Sequence, residues 1–85
     1  MSRLQTGSLV KAAAGKESGG YYAVIGFSGC HALIADGRKR RLDSPKRKNP
    51  KHLIPLNRET DTEGITDKKL RNVLRELSTE STPQP

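Results

Sequence analysis

The residues with the clearest chemistry are cations packed into one short stretch. Between Asp36 and Leu53 lie eight of the sixteen Lys and Arg residues: Arg38, Lys39, Arg40, Arg41, Lys46, Arg47, Lys48 and Lys51. Only Asp36 and Asp43 oppose them there. Such a cluster repels itself, so any fold must hold it on a surface. A polyanion removes that repulsion and releases its own counterions on binding. Arginine grips phosphate bidentately and stacks on bases, while lysine acts as a point charge. The plainer reading is a solvated charged face. Density favours binding, and so does stiffness, because Asp36-Gly37, Pro45 and Pro50 hold the charges at fixed spacing.

Other chemistries find less support. Cys30 beside His31, or His52 with Asp36 or Asp43, are the candidates for catalysis. A nucleophile needs a nearby base and an orienting third group. Adjacent residues on a strand point to opposite faces, which separates Cys30 from His31. One Cys and two His with no ligand spacing make no zinc site. Gly15-Lys16 beside Ser18 invites a phosphate-loop reading, but Val10 stands where the first glycine belongs and Glu17 follows the lysine. The expectation is therefore a non-enzymatic chain with no metal, cofactor or catalytic residues. Lys16 remains a candidate phosphate contact from a loop tip.

These residues must be carried by a small scaffold. Eighty-five residues allow one domain, and only 32% are apolar, so the core is small. The net charge of +7 favours nucleic acid first and an anionic membrane second. A single cysteine gives no internal disulfide. Neither a signal peptide nor an apolar run near the ~20 residues of a spanning helix is visible. A cytoplasmic chain without membrane partners is expected.

Ser8 to Ala14 reads as a strand, ended by Gly15. Gly15 to Gly20 is a turn with three glycines. Tyr21 to Gly26 is the clearest strand, and its lack of strict alternation predicts cover on both faces. Ser28-Gly29 turns the chain into a strand over 31–35. Asp36-Gly37 predicts a two-residue hairpin turn, then a basic fourth strand over Arg38–Leu42. Pro45 and Pro50 bracket an irregular loop. His52 to Leu56 forms a short final strand at an edge. Five short strands with tight turns suggest a small barrel or strongly curved sheet.

Glu59, Asp61 and Glu63 mark an acidic linker over 58–65. It either moderates the basic stretch or is simply solvated. Leu70, Val73, Leu74 and Leu77 then form one helical stripe, predicting a helix over 66–78. Thr66 can cap it, Asp67 suits its positive end, and Ile65 with Leu70 has the spacing of a hydrophobic staple. Lys68, Lys69, Arg71 and Arg75 fall on the polar side. The tail over 79–85 is expected to be disordered.

Gly7-Ser8-Leu9-Val10-Lys11-Ala12-Ala13-Ala14-Gly15-Lys16, with Gly19-Gly20 and Tyr22-Ala23-Val24-Ile25, resembles a KOW motif, a strand–loop–strand unit with a characteristic glycine matched by Gly15. Leu33-Ile34-Ala35-Asp36-Gly37 and Pro45-Lys46-Arg47-Lys48-Asn49-Pro50-Lys51-His52-Leu53 are similar to the KOW-containing large-subunit ribosomal proteins of archaea and eukaryotes and to small bacterial KOW RNA-binding proteins. The resemblance covers about residues 5–57. It implies a mainly β fold, a small SH3-like five-stranded barrel over 1–57, here joined to a C-terminal α-helix. It also implies binding to ribosomal RNA, with basic and glycine positions carried onto Gly15, Lys16, Asp36, Gly37, Arg38, Lys46, Lys48, Lys51 and His52. The chain lacks the long basic extension of the eukaryotic proteins, and its acidic linker and helix lie outside the motif.

The combined expectation is a monomeric RNA-binding protein of the ribosome or translation apparatus. Its contacts would be Lys11, Lys16, Arg38, Lys39, Arg40, Arg41, Lys46, Arg47, Lys48, Lys51 and His52, with Gly15, Asp36 and Gly37 as structural turns. Ribosomal proteins are further candidate partners. Few aromatics and no helix-turn-helix or zinc-finger spacing favour structured RNA over duplex DNA. The alternatives are a KOW-type protein-interaction module, which would use any exposed part of the helix stripe, and a transient ribosome-assembly or translation factor.

Overall fold

The structure is a computed structural model that describes residues 4–13, 15 and 19–80, without the side chains of 78–80. Five strands, β1 (Ser8–Ala12), β2 (Tyr21–Ser28), β3 (His31–Ala35), β4 (Lys46–Lys48) and β5 (Leu53–Glu59), precede one helix, α1 (Asp67–Glu80). All pairings are antiparallel, in the order β4-β3-β2-β1-β5. The fold is thus mainly β, with five strands and a C-terminal helix among the described residues. The expected turn over 15–20 is described only at Gly15, Gly19 and Gly20. Lys16, much of the expected tail and the first three residues lie outside the described residues.

β2 is the centre of the sheet, and both its faces are covered. On one face Tyr22 and Val24 join Val10, Ala12, Ala32, Ile34 and Leu53, with Leu4 packed against them. On the other, Ala23 joins Leu9, Ala35 and the helix residues Leu70, Leu74 and Leu77. Alternation of successive side chains across β2 makes one strand serve both clusters. The predicted stripe of α1 packs inward: Leu70 is fully buried, Leu74 and Leu77 nearly so, and Val73 packs at the margin. The Thr66 hydroxyl accepts from the Lys69 amide at 3.2 Å, which caps the helix start.

Chain connectivity demands that the sheet curl. β4 and β5 occupy opposite edges, yet only residues 49–52 join them. Flat, the edges would stand four strand spacings apart, roughly 19 Å. The connection contains a single 3₁₀ turn, Pro50–His52, whose rise of about 2 Å per residue limits the span to roughly 13 Å. The sheet therefore rolls over its Val10–Ile34 face, and register shifts at Ser8/Val10 and Val24/Gly26 supply local bends. Of the two expected forms, small barrel or strongly curved sheet, the fold is nearer the second: among the described residues no ladder joins β4 to β5, so the sheet is not closed.

The basic stretch is arranged differently from expectation. Arg38–Leu42 is not a strand but a bent loop, and the fourth strand is Lys46–Lys48, placed by sequence in a loop. Asp36 explains the change. Its Oδ1 accepts from the Arg38 amide at 2.8 Å and the Arg40 amide at 3.0 Å, so those donors turn inward instead of joining a ladder. Only Gly37, at φ +79°, takes the left-handed conformation there, so the two-residue hairpin is not formed either. β5 is at an edge as expected but runs on to Glu59, and Asn57, at φ 58°, absorbs a kink within it.

Candidate nucleic-acid interface

The loop from Asp36 to Ser44 leaves β3 and re-enters the sheet at β4. Its shape is set by backbone bonds of its own and by α1. The Asp36 and Gly37 amides donate to the Arg40 carbonyl at 2.8 and 3.0 Å, and the Ser44 amide donates to the Arg41 carbonyl at 2.9 Å. From the helix, Asp67 Oδ1 accepts from the Leu42 amide at 2.8 Å, while Asp67 Oδ2 lies 3.4 Å from Arg41 Nε. Arg71 Nη1 donates to the Gly37 carbonyl at 2.7 Å. Gly37 is itself buried: a Cβ there would collide with the Asp67 carbonyl oxygen and stand 3.0 Å from Arg71 Cγ. The helix thus clamps the loop at Gly37, Arg41 and Leu42.

The clamp holds cations outward. Arg38, Lys39 and Arg41 are exposed and Arg40 is half-buried. Strand register sets the neighbours. Lys46 pairs with Ile34 and Lys11 with Tyr21, which puts both at the end of the sheet where the loop emerges. The Lys11 ammonium stands 5.9 Å from the centre of the Tyr21 ring, a cation–π distance. His52 reaches the same end, since its carbonyl accepts from the Ala13 amide at 2.8 Å. Arg47, opposite Leu33, is exposed on β4, and Lys51 is exposed on the crossover.

Lys48 departs from the expected set. It pairs with Ala32 on the concave face and is buried, at 9% exposure. Its stem covers core surface, as long cationic side chains do, so it lies off the exposed cationic surface. Gly15 holds φ +82°, a left-handed conformation.

Two residues important to this surface were given only generic helix roles by sequence reasoning. Asp67 stands in the first turn of the helix and Arg71 on its polar side, as the pattern predicts, and both also shape the loop. The acidic linker does not take that part: Asp61 and Glu63 are exposed, and Asp61 Oδ1 accepts from the Glu63 amide in a local turn. Cys30 and His31 are exposed at the β2–β3 turn. Among the described residues no three His, Cys, Asp or Glu side chains gather to hold a metal, and no helix is long and apolar enough to cross a membrane.

No protein-family model matches the chain, and a search of the curated proteins finds no match.

Proposed function

We propose that this chain is a non-enzymatic RNA-binding protein that grips the backbone of structured RNA, ribosomal RNA above all, as a cytoplasmic component of the ribosome or translation apparatus. One observation carries the reading. Four consecutive cations, Arg38 to Arg41, sit on a loop whose amides are tied to Asp36 and Asp67. The backbone that carries them is set before any ligand arrives, which lowers the ordering cost of binding. Arg47, Lys51 and His52 add exposed basic side chains on β4 and the crossover, and Lys11 and Lys46 stand half-buried at the end of the sheet where the loop emerges. The apolar stripe of α1 faces the sheet, so it offers little to a protein-docking role. The KOW-like glycine and basic positions favour RNA as the polyanion.

The test is binding of a ribosomal RNA fragment to the whole chain across a salt series. With about six phosphates contacted, log K will fall against log salt with a slope of roughly −4 to −5. Changing Arg38, Lys39, Arg47 and Lys51 together to Gln will weaken binding on the order of a thousandfold at 0.1 M salt, the counterion-release worth of four contacts. The circular dichroism spectrum will be unchanged, because all four side chains are exposed. Salt-independent binding, or equal affinity for duplex DNA of the same length, would overturn the reading.

A further inference from the structure

The basic loop has a second boundary, where it meets the helix. Tyr21, Asp36, Arg38, Arg71, Leu74 and Arg75 line a cleft of about 230 Å³ there. Three arginines from two elements line it, with Arg71 and Arg75 one helical turn apart. We propose that this cleft is a phosphate subsite that carries an RNA strand from the loop onto the helix. The inference rests on the RNA reading above and extends it to Arg71 and Arg75 of α1, which lie outside the KOW-like residues.

The cleft is built for a fixed anion. Arg71 is tied by Nη1 to the Gly37 carbonyl at 2.7 Å, which uses one of its five N–H donors and fixes the plane of the group. The backbone of Arg38 is fixed on the other side, since its amide donates to Asp36 Oδ1. Asp36 is the one carboxylate in the lining, and its Oδ1 is engaged by two backbone amides. Three cations therefore face one partly satisfied anion. The Tyr21 ring and the buried Leu74 supply an apolar wall, and Lys11 adds a further charge beside that ring.

Size selects the ligand. Pockets for whole small molecules run from about 300 Å³ upward. This cleft is smaller, so it suits a phosphate and part of its ribose, with the strand entering and leaving, rather than a free nucleotide. Arginine forks match phosphate oxygens in pairs, and the apolar wall receives the sugar.

The experiment is an NMR titration of the full chain, once with a structured RNA hairpin and once with inorganic phosphate at matched ionic strength. The RNA is expected to shift Tyr21, Arg71 and Arg75 together with the loop residues. Arg75→Gln is expected to weaken RNA binding about sixfold at 0.1 M salt and to make the salt slope shallower by about 0.8, the loss of one phosphate contact. Arg75→Lys will restore most of the slope, and the circular dichroism spectrum of both variants will match that of the parent. Shifts confined to the loop, with Arg75→Gln binding like the parent, would overturn the subsite and leave the RNA reading standing. Phosphate shifting the cleft while no RNA binds would remove the RNA reading and the strand path together, leaving a free-phosphate site.

Discussion

Gly37 is the residue on which the basic loop turns. Two constraints meet there: a backbone at φ +79° and a neighbour, the Asp67 carbonyl, where a side chain would stand. Gly29 shares only the first, with φ +59° and open space around it. The pair separates strain from collision. Gly29→Ala will cost about 1 kcal/mol, the usual penalty of the left-handed region. Gly37→Ala will cost about 2–3 kcal/mol, because the helix must also move. Chemical denaturation of the two variants gives both values; equal losses would mean that the loop yields freely. Lys48 teaches the complementary lesson. A lysine in a basic run reads as a surface cation, yet its register against Ala32 turns it onto the concave face.

At the scale of elements, Asp67 links helix and loop. Asp67→Ala removes the acceptor for the Leu42 amide and the partner of Arg41. The loss is expected to be about 1.5–3 kcal/mol, as for a hydrogen bond to a charged group. The Leu42 amide will then exchange with solvent much faster, while amides within β2 stay protected; unchanged exchange at Leu42 would show that the loop holds itself. This contact also explains which elements were legible in the sequence. β2, β3 and α1 declare themselves through local patterns: β-formers between glycines, a strand opening at His31, and apolar residues at helical spacing. The basic strand was placed over Arg38–Leu42 because Asp36-Gly37 is a strong local hairpin signal. What overrides that signal lies partly in the Asp36 side chain and partly in Asp67, 31 residues further on. The strand over Lys46–Lys48 was hidden for the same reason: only its pairing with β3 makes it one. The surface's composition was therefore readable, but its shape depended on contacts distant in sequence.

For the whole molecule, the decisive feature is that 85 residues support two apolar clusters on one sheet. Stability for a chain of this length is about 4–13 kcal/mol. Leu70 is fully buried at the helix–sheet contact, and Leu70→Ala will remove about 2–5 kcal/mol of it. A thermal melt will show a single transition at much lower temperature, with β-sheet and helix lost together; separate transitions would mean that sheet and helix fold independently. The same two-sidedness limits how the fold can be rearranged by recombination. A segment ending at Glu59 would carry β1 to β5, yet it would leave Leu9, Ala23 and Ala35 without their cover. Sheet and helix therefore depend on each other, and substitutions on the polar face of the helix are constrained along with those on the apolar one, because the side chains that shape the cationic loop lie on it.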